Sequence, residues 1–368
     1  MSERLRTQLT EAFLIPSLAV ISGLALATAF VLFTNVPPLQ AYAELFKGGF
    51  SCDELTRCNL FQTLQLATPL MLTGLSTVVA FRSGMFNIGQ EGQFLIGATT
   101  AAWLGFAIHL PPVIHPAVVI AASMLAAGVY GWIPGVLKVR LGVNEVITTI
   151  IMNNIANLFM TYIVNFPLRA DTGTTAHSPL IDETARLPVF FQGSKWGAGF
   201  IIALIAALLV YVYLWRSVPG YEQRMAGQAP LFARYGGIRS DSAAIRSMFL
   251  AGALSGMAGA IEILGVHRRL LQGFSTGLGF DGLLVAILGR VHPLGVVLVA
   301  ILFAGVRLGA QIGLQTSVRI PRELGGGIIA LIILFVAAEN FYRGWIHRGQ
   351  DWLGRLARRP LKKDPTGL

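Results

Sequence analysis

The sequence predicts an all-α, polytopic integral membrane protein of about ten transmembrane helices, with an inverted internal repeat and broken helices. Three observations carry this. The 368-residue chain is 54% hydrophobic and only 12% charged, against about 25% charged in soluble domains. Its mean hydropathy is +0.65. Apolar stretches near or above the roughly 18 residues of a membrane span recur along it, and between two of them lies a polar, glycine-rich break at 84–98 that holds Glu91.

The first span reads at 13–33. A cleaved signal peptide is the rival, since Arg4 and Arg6 precede the run and residues 27–29 resemble a cleavage site. The run outlasts the roughly 7 to 15 apolar residues of such a signal, which favours a retained anchor. Segment 35–59 follows as an outer loop with Cys52 and Cys58, the only cysteines. An oxidising exterior suits a disulfide between them, and two ligands are too few for a metal, so no metal site is expected.

Further spans read at 64–81, 94–110, 116–137 and 146–166. The outer loop 167–197 mixes Pro, Asp, Thr and aromatic residues, as an ordered surface does. After a span at 200–215 and an inner loop at 217–245 come spans at 247–266, 270–288, 294–314 and 325–338, the eighth interrupted by Gly273, Gly277 and Gly279. Small-residue rows, Gly252 and Gly256 in the seventh span and Gly305, Gly309 and Gly313 in the ninth, suit close helix packing. The whole chain, 1–368, reads as one transmembrane domain.

The net charge of +10 does not point to nucleic acid, because the basic residues sit in short runs beside apolar segments, as orientation signals do. A cytoplasmic N-terminus places most of them inside, including the tail 343–368, and so puts both termini in the cytoplasm. A solvated cytoplasmic end is the favoured reading of that tail, with contact to anionic membrane lipids as the alternative.

A charged side chain at the bilayer centre costs roughly 2.5 to 3.5 kcal/mol on insertion scales. The break is therefore the candidate solute path, with Phe86, Asn87, Gln90, Glu91 and Gln93. An aromatic, glycine, acid, glycine pattern occurs twice, as Phe86, Gly89, Glu91, Gly92 and as Phe274, Gly277, Asp281, Gly282. The copies start five spans apart, which inverts one against the other and defines repeats at 64–166 and 247–338.

Asn144, Glu145, Phe274, Phe280 and Asp281 complete the candidate path. For Glu91, Glu145 and Asp281, capping of broken helix starts or pairing with Arg82 or Arg290 is favoured over solute contact. Amides, aromatic faces and few cations suit a nucleoside better than an amino acid.

The inner loop reads as a short helix that starts at Pro230 and closes at Gly236 or Gly237, suited to transmitting force from a motor subunit. No phosphate-cradling loop and no catalytic triad or metalloprotease pattern occurs, so the chain reads as a transport subunit and not an enzyme, with no cofactor of its own.

The runs FNIGQEGQFLIG (86–97), GVNEVITTIIMNN (142–154), ARYGGI (233–238) and GFDGLLVAILGR (279–290) resemble the permease subunits of bacterial ABC importers for nucleosides and simple sugars. The resemblance covers about 64–338. It implies a second permease, a heterodimer before a homodimer, in the bacterial cytoplasmic (inner) membrane. It also implies cytoplasmic ABC ATPases, which bind the ATP and Mg, and an extracytoplasmic substrate-binding protein. Pro230, Phe232, Arg234, Tyr235, Gly236 and Gly237 then form the coupling helix, with Tyr-Gly where relatives often have Tyr-Ala. An ion- or proton-coupled secondary transporter is the alternative from another class.

Overall fold

The computed structural model describes residues 36–52, 58–170, 175–191 and 195–318, with isolated positions between 25 and 32 and at 327 and 330. Apart from those positions, the spans expected at 13–33 and 325–338 lie outside the described residues, as does the tail 343–368. Two compact units emerge, one of residues 46–309 and one of residues 1–45 and 310–368. In the second, Val31, Ala41, Ala310 and Leu314 form a small core flanked by Val36, Leu45 and Val318.

Eleven α-helices occur among the described residues. They are α1 (Pro38–Phe50), α2 (Asn59–Phe81), α3 (Gln90–Ala107), α4 (Ile114–Leu141), α5 (Glu145–Asn165), α6 (Ala198–Arg216), α7 (Val218–Gln228), α8 (Pro230–Tyr235), α9 (Ser240–Ile261), α10 (Leu278–Leu288) and α11 (Pro293–Gly309). Six are long and apolar enough to cross a membrane, counting the π-helical continuations of α9 through His267 and of α11 through Ser317. The chain is an all-helical, polytopic membrane protein.

Four elements depart from the sequence reading. Segment 35–59 holds α1, opened by Pro38 and carrying Lys47 in its last turn. The helix expected at 94–110 starts at Gln90, so the polar residues of the break form its first turn. The span expected at 270–288 is helical only over α10, whose eleven residues reach roughly 16 Å, half a bilayer. The inner loop contains α7 ahead of the expected short helix.

Two buried helices organise residues 46–309. Helix α2 packs on α10 and α11, α9 packs on α3 and α4, and the two pack on each other. Their closeness rests on glycine. A Cβ on Gly97 of α3 would lie 2.3 Å from the Gly256 carbonyl oxygen, and one on Gly252 would lie 2.3 Å from that of Ala127. Backbone meets backbone there, as in small-residue seams of membrane helices.

At the corner between α4 and α5, Gly142 takes the left-handed conformation that ends α4, and the Asn144 side chain accepts from the Val146 N–H to start α5.

Candidate functional site

The break begins where α2 ends. Gly84 adopts φ +76° and turns the chain, and residues 85–88 run without regular structure to Gln90. Polar backbone at membrane depth needs partners, and here the side chains of the break supply them. The Gly89 N–H donates to Asn87 Oδ1 at 2.8 Å, the Asn87 and Gln93 amides bond each other, and Gln90 Nε2 donates to the Asn87 carbonyl and to Thr77 of α2, both at 2.8 Å.

Helix α5 holds the other side of the break. Glu145, Thr149 and Asn153, spaced by four and so stacked on one helix face, meet successive turns of it. Phe86 N–H donates toward Glu145, Ile88 N–H to Thr149 Oγ1, and Gly92 N–H to Asn153 Oδ1 at 2.8 Å, while Asn153 Nδ2 donates to the Ile88 carbonyl. Asn87, Gln90 and Gln93 are fully buried in this network.

The second broken helix starts against the first. Gly279, in the first turn of α10, lies so close to Gln90 and Glu91 that a Cβ there would fall 2.4 Å from the Glu91 nitrogen. Glu91 is buried. Its Oε2 accepts from the Gly279 N–H at 2.7 Å and its Oε1 from the Ser275 hydroxyl. A carboxylate of α3 thus caps the free N–H groups and the positive dipole end of α10.

The Thr73 hydroxyl of α2 reaches the Leu278 carbonyl at 3.2 Å. Asp281 pairs with Arg307 of α11, which also donates to Thr276. Arg307, which falls within the span expected at 294–314, is thereby paired with a carboxylate inside the protein.

Helix α7 attaches at the C-terminal end of α2, and α8 follows it. Ser217 accepts from the Gly220 N–H to start α7. Gln223 is buried, donating to the Val79 carbonyl at 2.6 Å and accepting from the Tyr213 hydroxyl at 2.8 Å. Gly227 lies directly against residues 82–84, where a Cβ would sit 2.6 Å from three backbone atoms.

Arg82 donates from Nε and from a terminal nitrogen to the Val291 carbonyl at 3.0 and 2.8 Å, and with Arg224 flanks the Trp215 ring. Burial first and Arg224 second lower the Arg82 pKa from its ordinary value. Burial and then Arg82 likewise lower the His292 pKa from its ordinary value, and its ring packs on Trp215. Beyond α7, Leu231, Phe232 and Tyr235 of α8 are 73%, 65% and 92% exposed.

The sequence-selected residues fall into four groups. Asn87, Gln90, Glu91 and Gln93 form one closed network with α2, α5 and α10. Asn144 caps α5, and Glu145 pairs with Lys138 at 2.8 Å. Phe274 stacks on Phe94 and meets His267 edge-on, while Phe86 packs on Phe81 with one face outward and Phe280 stands half exposed. Pro230 opens α8, and Gly237 takes φ +77° after it.

Cys52 and Cys58 are joined in a disulfide at the opposite end of α2 from α7. Sequence reasoning missed Thr149 and Asn153, which the i, i+4, i+8 spacing from Glu145 would have revealed. It also missed Gln223 and the partner threonines Thr73 and Thr77, for which no local signal exists.

Buried polar breaks that cap one another within a polytopic helical chain fit a membrane transport subunit. The family model of the branched-chain amino acid transport system permease component matches residues 59–337. The chain belongs to that family and is a permease subunit of an ABC transporter for nucleoside or sugar import, without an ATPase site of its own. This sets aside the ion- or proton-coupled alternative.

The chain is 37% identical to the guanosine ABC transporter permease protein NupP of Bacillus subtilis, over 90% of this chain and 94% of that one. It is 32% identical to the nucleoside ABC transporter permease protein NupB of Lactococcus lactis, over 90% and 92%. It is 29% identical to the glucose ABC transporter permease protein TsgB13 of Haloferax volcanii, over 89% and 88%. A second B. subtilis guanosine permease protein, NupQ, matches 66% of this chain at 25% identity. No solved structure matches.

Proposed function

We propose that this permease carries nucleosides, and that its path runs along the exposed polar seam of α5. The seam carries the proposal. Asn154, Asn157, Thr161 and Asn165 follow one another by three or four residues on one face, and Asn154 and Asn157 are exposed. An amide turned to hydrocarbon is unfavourable, so this face meets water or another protein. Asn165 continues the seam to Gln272 at 3.4 Å.

The outward faces of Phe86 and Phe280 border the path, while Asn87, Gln90, Gln93 and Glu91 hold the broken helices in shape. The solute class follows NupP and NupB, which are 37% and 32% identical to this chain against 29% for the glucose-named TsgB13.

A second, homologous permease completes the path, and the NupP and NupQ pair supports a heterodimer over a homodimer. An ABC ATPase docks on α8, and a substrate-binding protein delivers solute outside. The exchange of packing partners between α2 and α9 supports ten spans in two inverted copies. Lys138, Arg140, Arg224 and Arg234 cluster at the α7 end and the disulfide lies at the other, which supports a cytoplasmic α8 and cytoplasmic termini.

Asn157→Leu in the assembled transporter is expected to cut guanosine uptake into proteoliposomes about tenfold, the equivalent of one lost hydrogen bond of about 1.4 kcal/mol, with assembly retained. Unchanged uptake, or a more stable protein from a leucine facing lipid, contradicts the seam as the path.

A further inference from the structure

The geometry points to a second binding site on the route, a neutral aromatic cavity between α3 and α5 that receives the flat base of a nucleoside before it reaches the break. The cavity measures about 400 Å³ and is lined by Thr99, Thr100 and Trp103 of α3 and Phe159 and Ile163 of α5, closed by the turn at Leu168. That volume falls within the roughly 300 to 1,000 Å³ of small-molecule sites. Its α3 residues lie about 14 to 20 Å along that helix from Gln90, at 1.5 Å per residue, and it borders the helix that carries the polar seam.

The chemistry of the lining is selective. Trp103 is 53% exposed and Phe159 46% exposed. Neither ring stacks on another among the described residues, unlike Phe274, which is engaged by Phe94 and His267. Both hydroxyls are committed as donors, Thr99 to the Leu95 carbonyl at 2.8 Å and Thr100 to that of Ile96 at 2.9 Å. What they offer inward is lone pairs, so a ligand must bring its own donors.

The lining carries no charge, which disfavours phosphorylated nucleotides and zwitterionic amino acids. A flat ring that carries ribose hydroxyls or an amino group satisfies all three conditions. Base stacking on aromatic side chains tolerates every base, because each has a π-face, so the site favours nucleosides over simple sugars without choosing among bases.

This inference rests on the nucleoside reading above, and one experiment separates the two. The complete transporter, with both permeases, ATPase and binding protein, is reconstituted in proteoliposomes and assayed with labelled guanosine and labelled glucose. Trp103→Ala and Phe159→Ala are expected to lower guanosine uptake about tenfold or more, the range that loss of one stacked base implies. Trp103→Phe keeps a flat ring and is expected to restore most of it. Assembly, read by size exclusion with the ATPase bound, stays intact in all three.

Full guanosine uptake by Trp103→Ala overturns the site. So does a Trp103→Phe loss as large as that of alanine, which marks an indole anchored at the membrane interface, or a loss that follows reduced assembly. A wild-type transporter that imports glucose and not guanosine overturns the nucleoside reading itself, whatever the variants do.

Discussion

Gly97→Leu is expected to leave no monodisperse protein in size exclusion of detergent extracts. The Cβ alone would lie 2.3 Å from the Gly256 oxygen and 2.4 Å from its Cα, so the obstacle is backbone. Side-chain overpacking costs about 1 to 3 kcal/mol when rotamers can yield, and here none can.

Nor can α3 slide away. The Gly92 N–H is held by Asn153 and Glu91 is held by Gly279, so moving α3 by the width of a methyl group breaks both halves of the site. Gly97→Ala should fold but melt several degrees lower. Gly265→Ala is the matched control, since its Cβ meets only Leu187 Cδ1, at 3.9 Å. It is expected to behave as wild type in the same thermal assay.

Glu91→Ala is expected to have the second-largest effect. It strips the cap from α10 and leaves the Gly279 N–H and the Ser275 hydroxyl without their acceptor inside the protein. An abandoned buried donor costs about 1 to 3 kcal/mol, and loss of an N-terminal cap about 0.5 to 2 kcal/mol. For a domain of this size each kcal/mol lowers the melting temperature by roughly 2 to 4 °C.

Glu91→Gln keeps one acceptor oxygen and should lie between the two. A capping role predicts that uptake per assembled Glu91→Gln transporter stays within about threefold of wild type, well under 1 kcal/mol. Normal thermal stability with abolished uptake would place Glu91 in contact with the solute.

The fold was legible to the extent that hydrophobicity alone decides it. Runs such as 200–215 have no alternative to a membrane helix, and α6 differs from its expected bounds by two residues at one end and one at the other. The places where the structure departs are those where apolar content stops being decisive. Segment 270–288 is apolar enough to span, yet Gly273 and Gly277 take positive φ, and α10 forms only from Leu278.

At the site, the sequence shows that polar groups stand at membrane depth but not how they are satisfied. Asn87, Gln90 and Gln93 read from the sequence as path lining, and the bonds they make to one another and to Thr77 depend on a register that only the fold sets. The capping role of Glu91 was readable, because an acid beside a broken helix start has few other uses. Its target, a helix almost 190 residues on, was not.

The account's central claim is mechanical. In the proposed coupling, a helix with Leu231, Phe232 and Tyr235 exposed would receive the ATPase, and α7 would pass its movement through Gln223 and Gly227 to the start of the break. Alanine at all three α8 positions tests this most directly, with ATPase co-purification and ATP-driven uptake read on one preparation. The account predicts an inserted, monodisperse permease that no longer retains the ATPase and whose uptake falls to background. ATPase retention with wild-type uptake would contradict it.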